Sequence, residues 1–119
     1  MLEASCHCGA VRIEIADKPD TLTQCNCSIC RRYGALWAYC TRQTARVLTG
    51  PEVETSYIWN DRVIEFYHCK TCGCMTRYED VEKNADSRIA VNARMLEPEA
   101  IEGISMRYFD GAKTWKVID

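Results

Sequence analysis

The chain lacks any long apolar run: no stretch of its 119 residues approaches the roughly 20 apolar residues that a membrane-spanning helix needs. It has no excess of positive charge either. Fifteen Lys and Arg stand against 17 Asp and Glu, for a net charge of −2, whereas a general nucleic-acid binder is normally basic. Only Arg31 and Arg32 are adjacent in sequence. The opening "MLEASCHCGAV" has no basic segment followed by an apolar one, so the expectation is a protein without a secretory leader, working in the cytoplasm. Linkers, low-complexity tracts and repeats of solenoid length are missing as well. A chain of this length is then most simply one domain, 1–119, with a modest core.

Helical signal is weak. "SICRRYG" (28–34) has room for a turn or two closed by Gly34, and "EPEAIEG" (97–103) starts with a proline suited to a first helical turn. Short strand-like runs dominate instead. "AVRIEI" (10–15) alternates Val11, Ile13 and Ile15 with polar residues. "RVIEFYHC" (62–69) sets Val63, Glu65 and Tyr67 on one side and Ile64 and Phe66 on the other. "LWAYC", "RVLTG", "ETSYIW", "MTRYE" and "RIAVNA" are further candidates. "WNDR" (59–62) and "FDGAK" (109–113) carry turn residues, with Asp110-Gly111 suited to a tight hairpin. Many short strands with few helices predict a mostly-β domain.

What the chain has in excess is cysteine: nine residues. The number is odd and no leader is evident, which argues against a disulfide framework; in a reducing compartment clustered cysteines bind metal. Three clusters stand out: Cys6-x-Cys8-Gly9, Cys25-x-Cys27-x-x-Cys30 and Cys69-x-x-Cys72-Gly73-Cys74, with Cys40 alone. The C-x-x-C-G turn is a zinc-knuckle pattern that supplies two ligands and needs a partner pair. Cys6 and Cys8 supply it, giving a closed four-cysteine zinc site that contributes about 10 kcal/mol to folding. Cys25, Cys27 and Cys30 are then three ligands with a free fourth position, the arrangement that separates catalytic from structural zinc. Two other assignments stay open: Cys74 or Cys40 completes a second closed site, or one zinc draws on all clusters and the rest are thiols.

Three thiolates on one zinc make it a poor activator of water, and a soft thiol substrate suits the free position better. A thiol that loses its proton there is poised to attack a carbonyl carbon or to leave from one, so the chemistry points to making or breaking a carbon–sulfur bond. Seven deprotonated cysteines against two divalent cations add about three negative charges. An anionic thiol such as a glutathione-like peptide therefore needs local positive charge, and Arg31 and Arg32, next to Cys30, are the nearest candidates to pair its carboxylates.

"CHCGAV", "CNCSICRRYGALW" and "EFYHCKTCGC", in that order, resemble the glutathione-dependent formaldehyde-activating enzyme family, and "YFDGAKTW" resembles that family's closing segment. The resemblance spans residues 5–116. It implies a β-tent fold of two small antiparallel sheets. It implies a structural zinc on Cys6, Cys8, Cys69 and Cys72 and a second zinc on Cys25, Cys27 and Cys30, where the thiolate of glutathione adds to formaldehyde to give S-hydroxymethylglutathione, a carbon–sulfur lyase reaction. The partner implied is a small-molecule thiol, with neither nucleic acid nor membrane.

His7 and His68 flank metal loops and are read as hydrogen-bonding neighbours rather than ligands. Tyr33, Trp37 and Trp59 are candidates for a pocket wall, with the core the better assignment for Trp37. Asp61 and Glu65 are possible proton carriers, and no residue stands out as a general base. A zinc-stabilised β domain that binds a protein is the rival reading. A methionine sulfoxide reductase fits less well, since only one C-x-x-C has a suitable flank. The cysteine arithmetic predicts two zinc ions per chain, checked by metal analysis of the purified protein; a single ion would leave the three-cysteine group as plain thiols.

Overall fold

A computed structural model describes residues 1–59 and 62–118. Asn60 and Asp61, and with them the turn expected over 59–62 and one candidate proton carrier, lie outside the described residues. In chain order the elements are β1 (Leu2–Ser5), β2 (Arg12–Ile15), β3 (Thr21–Cys25), α1 (Cys30–Tyr33), β4 (Trp37–Thr41), β5 (Ala45–Val47), β6 (Glu54–Trp59), β7 (Ile64–Cys69), β8 (Met75–Asp80), β9 (Arg88–Asn92), α2 (Pro98–Ile101), β10 (Ser105–Asp110) and β11 (Lys116–Val117). The mostly-β expectation holds, and both helices are single turns inside the expected segments.

The strands form two sheets, neither closed. One is a three-stranded antiparallel sheet in the order β1-β2-β5. The other has eight strands in the order β11-β10-β3-β4-β9-β8-β7-β6. This second sheet is larger than the family resemblance implies and is not wholly antiparallel, because β10 runs parallel to β3, pairing Arg107 with Thr23 and Phe109 with Cys25. A parallel neighbour needs a long crossover, and here residues 26–104 separate the two strands.

Successive side chains on a strand point to opposite faces, so the register sorts the large sheet into two surfaces. Tyr39, Ala90, Tyr78, Phe66 and Tyr57 follow one another across β4, β9, β8, β7 and β6. Arg107, Thr23 and Trp37 continue this face across β10, β3 and β4. The opposite face presents Leu22, Ala38, Ile89 and Val91, which pack against Ala4, Ile13, Ile15 and Ala45 of the small sheet. Most of these side chains are almost wholly shielded, and each aliphatic one contributes about 1.5–3 kcal/mol by leaving water.

Further along the same face the apolar core gives way to charge. Arg77 on β8 donates its Nε to Glu79 at 2.7 Å and its Nη1 to Glu54 on β6. Arg42 reaches Glu79 at 2.7 Å, and the Arg77 guanidinium lies 3.8 Å from the ring centroid of Tyr67. Arg77, Glu54 and Glu79 are all buried. Such a group is stable only while every charge keeps its partner, since an orphaned buried charge costs several kcal/mol. Arg77→Met strands Glu54 and leaves Glu79 only Arg42, and is expected to destabilise the metal-loaded protein by about 3–5 kcal/mol. Glu54→Gln leaves Glu79 on Arg77 and is expected to cost less. Urea unfolding checks both, and the reverse order would contradict the shared-partner arrangement.

Candidate metal centres and cavity

Two groups of sulfurs converge, each with all its Sγ atoms within 4.8 Å of one another. The first joins Cys6 and Cys8, in the turn between β1 and β2, to Cys69 and Cys72, in the turn between β7 and β8. Each turn ends in a glycine at positive φ, Gly9 at 84° and Gly73 at 79°, a conformation that glycine adopts without steric cost. The turns close with Gly9 N–H donating to the Cys6 carbonyl at 3.1 Å and Gly73 N–H to that of Cys69 at 3.0 Å. This geometry aims other amides at sulfur. Val11 N–H donates to Cys6 Sγ at 3.3 Å, and Thr71 and Cys72 N–H donate to Cys69 Sγ at 3.4 and 3.5 Å. The amides of Cys74 and Cys8 pull the Cys72 thiol down to about 5.

Cys8 Sγ lies 3.7 Å from Cys6 Sγ and 3.5 Å from Cys69 Sγ. A tetrahedron with metal–sulfur bonds of ~2.3 Å has edges of about 3.8 Å. Cys8 therefore stands from Cys6 and Cys69 at the spacing of a zinc coordination shell, with all four sulfurs within 4.8 Å of one another.

The second group is Cys25 at the end of β3, Cys27 in the following turn and Cys30 at the start of α1, all buried. Cys27 N–H donates to Cys25 Sγ at 3.5 Å and Cys30 N–H to Cys27 Sγ at 3.4 Å. Hydrogen bonding from Cys30 draws the Cys25 thiol down to about 6, and the same contact, followed by burial, pushes Cys30 up. Three like charges this close repel, so one sulfur carries charge while its neighbour keeps a proton; a divalent cation at their centre removes the conflict. Among the described residues the buried indole N–H of Trp37 has no hydrogen-bond partner, and its proximity to Cys30 favours the thiolate there. The donor set fits a soft divalent metal.

Among the described residues no His, Cys, Asp or Glu joins this group as a fourth ligand. Cys40 packs into the core beneath the small sheet, and Cys74 packs beside the first group, outside both sets. His7 is exposed and His68 Nε2 meets the Tyr33 hydroxyl at 2.8 Å; neither belongs to a sulfur group.

The three cysteines instead open on a cavity of about 500 Å³ on the aromatic face of the large sheet. Its walls include Trp37, Tyr39, Trp59, Phe66, Tyr78 and Trp115. Trp37 thus serves core and wall together: it is 1% exposed and its ring meets Tyr78 edge-on at 4.7 Å. Tyr33 packs against Phe66 and His68 outside the lining. Glu65, pointing to the other face, is held by Ser56, Tyr67 and Lys83.

Arg31 and Arg32 do not line the cavity; both are exposed on α1, where Arg32 donates to the Ser28 carbonyl at 2.8 Å. The cationic side chains that do line it are Arg88 and Arg107. Arg107 lies in "SMRYFD", which carries no clear strand pattern, and Arg88 lies on the face of β9 opposite to Ile89 and Val91. Strand parity was the signal that would have found Arg88.

The segment after β10 is docked on the cysteine loop. Asp110 accepts from Asn26 Nδ2 at 3.1 Å and from Thr114 N–H at 3.1 Å and its hydroxyl at 2.9 Å. Those bonds, Asn26 first and then Thr114, hold its carboxyl below the usual carboxylate range. Asn26 Oδ1 in turn accepts from Ala112 N–H at 3.0 Å. The expected two-residue hairpin at Asp110-Gly111 is therefore a longer loop, its register Asp110 with Lys116, because the Asp110 side chain organises the turn. It brings Gly111 so near the metal group that a Cβ there would lie 2.7 Å from Cys25 Sγ and 3.1 Å from Cys27 Cβ.

Comparison with known proteins adds two findings. Residues 1–109 match the family described as glutathione-dependent formaldehyde-activating enzyme. A crystal structure of a Rhodobacter sphaeroides protein superposes with a TM-score of 0.69 at 31% identity, covering 88% of this chain and 99% of that one. Gly111→Ala is expected to push Cys25 aside and weaken metal binding at the three-cysteine group by about 10–100-fold while the four-cysteine group keeps its ion. Chelator competition that distinguishes a loose from a tight ion checks this.

Proposed function

Because the chain belongs to the glutathione-dependent formaldehyde-activating enzyme family, we propose that it is a zinc-dependent carbon–sulfur lyase acting on a thiol adduct, with glutathione and formaldehyde joined as S-hydroxymethylglutathione as its reaction. The observation that carries this reading is a group of three buried sulfurs, with no fourth protein ligand among the described residues, that opens on an aromatic cavity. Cys6, Cys8, Cys69 and Cys72 would hold a structural zinc, and Cys25, Cys27 and Cys30 a second. When bound, that second ion would supply the acidity that turns an incoming thiol into a thiolate at neutral pH.

The chain's own residues do the rest. The three cysteines would hold that ion where the cavity opens, and Trp37, Phe66 and Tyr78 exclude water around it. Burial pushes the phenols of Tyr39 and Tyr78 up, so both stay protonated and offer O–H groups to a carbonyl oxygen. Addition then forms the sulfur–carbon bond and breaks the carbonyl π bond, whose electron pair stays on oxygen and takes up the proton lost by the thiol. No oxidant or reductant enters. No carboxylate or imidazole lines the cavity among the described residues, which suits a reaction whose only base is the thiolate itself. Residues 1–119 act as one domain, and a reducing compartment such as the cytoplasm keeps seven cysteines available as ligands.

Cobalt-loaded protein is expected to shift its thiolate absorption when glutathione is added, and NMR to show S-hydroxymethylglutathione forming faster with the zinc protein than without it. Cys27→Ser should remain folded and lose the thiol-induced shift, whereas Cys72→Ser should unfold. Equal loss of stability in both variants, or a spectrum blind to every thiol, would defeat the proposal.

A further inference from the structure

We infer that Arg88 and Arg107, and not the Arg31 and Arg32 that follow Cys30, are the side chains that anchor the carboxylates of the thiol proposed above. The inference rests on the reading that the three-cysteine group accepts a thiol, and names what holds that thiol's carboxylates. It begins with an uneven distribution of charge. The chain has more acidic than basic residues, 17 against 15, yet among the described residues none of the acidic side chains lines the cavity and two arginines do.

Neither arginine is held by a carboxylate: among the described residues no ion pair involves Arg88 or Arg107. Arg88 is instead seated on aromatic surface. Its guanidinium lies 4.2 Å from the ring centroid of Tyr39 and its Nη1 donates to the Tyr78 hydroxyl at 3.4 Å. Stacking orients the planar guanidinium and leaves its remaining N–H groups for a planar anion, the bidentate recognition that arginine performs and lysine does not. Arg107 is exposed on β10 at the other side of the cavity. Arg12, Arg42, Arg46, Arg77 and Lys83 have acidic partners, and none of those five lines the cavity.

The spacing of the two arginines suits the length of that thiol. Arg88 pairs with Thr41, and Arg107 pairs with Thr23, which pairs with Trp37. The two positions are thus three strand spacings apart across the sheet and four residues apart along it. At about 4.8 Å per strand and 3.4 Å per residue this places their backbones roughly 20 Å apart on the diagonal. Two arginine arms reaching into the cavity close that gap to about the 10 Å that an extended tripeptide spans. The three cysteine sulfurs line the same cavity. A metal site rich in thiolate would itself repel such an anion, and the arginines offset that repulsion where the carboxylates lie.

The test is a binding titration, followed by tryptophan fluorescence because Trp37, Trp59 and Trp115 line the cavity, on metal-loaded wild-type protein and on Arg88→Met and Arg107→Met. The probes are glutathione, its diethyl ester, S-methylglutathione and cysteamine. Wild type is expected to bind glutathione at least tenfold more tightly than the diethyl ester. Each arginine variant should weaken glutathione and S-methylglutathione about tenfold or more, as loss of a charge-assisted hydrogen bond does, and leave cysteamine unchanged. Equal affinity for acid and ester, or an equal loss of glutathione and cysteamine in the variants, would overturn the inference. If cysteamine and glutathione fail to perturb cobalt absorption while S-methylglutathione still binds in an arginine-dependent way, the thiol-site reading falls and the carboxylate anchors stand.

Discussion

Cysteine sulfurs brought within hydrogen-bonding distance of one another in a protein interior cannot all be anions unless a cation sits among them, and this constraint governs the whole molecule. At the first group it acts on the fold. Cys8 and Cys69 are 61 positions apart and their sulfurs 3.5 Å apart, so an ion held there would tie the β1–β2 turn to the β7–β8 turn and thereby the small sheet to the large one. Around that tie the apolar cluster is thin: Cys6, Val11 and Cys69 are its buried members. The two sheets are held mainly by the aliphatic core between them, and at this thin corner an ion on the four sulfurs would add what burial does not. At the second group the same constraint acts on chemistry, since three sulfurs satisfy a cation only in part.

The large sheet divides these tasks between its faces. One face buries aliphatic side chains under the small sheet and, farther out, a charge group in which Arg77 serves two carboxylates. The other face is aromatic, with Trp37, Phe66 and Tyr78 in mutual contact, and remains open above the cysteines. Tyr78, 8% exposed, alternates along β8 with Arg77 and Glu79, which point the opposite way. Strands buried on both faces lose the simple apolar-polar alternation that a half-solvated sheet displays.

That loss explains how much could be read from sequence alone. The cysteine groups were legible to the residue, because ligand chemistry fixes both residue type and local spacing. The strands β2, β4, β6, β7, β8 and β9 were legible from β-branched and aromatic runs, and both helical turns from Pro98, Gly34 and Gly103. β1, β3, β10 and β11 were not. β3 reads "TLTQC", with Leu22 and Thr23 both buried on opposite faces, and β10 reads "SMRYFD", four of whose residues are exposed. Their pairing with each other is set by tertiary context, not by local propensity. The cavity-lining arginines went unseen for the same reason: Arg31 and Arg32 are near Cys30 in sequence, whereas Arg88 and Arg107 become its neighbours only through the sheet.

The parallel pairing of β3 with β10 also imposes an order of events on biosynthesis. The four cysteines of the first group lie within residues 6–72, and the antiparallel run from β6 to β9 is local in sequence, so that half of the molecule can form as it leaves the ribosome. The edge of β3 that carries Cys25 has no neighbour until residues 105–110 emerge, and Asn26 has no anchor until Asp110 and Ala112 arrive. Contacts of such long separation form late and slowly. The scaffold therefore matures before the reactive pocket, which keeps the electron-rich three-sulfur loop unfinished until β10 has paired with β3.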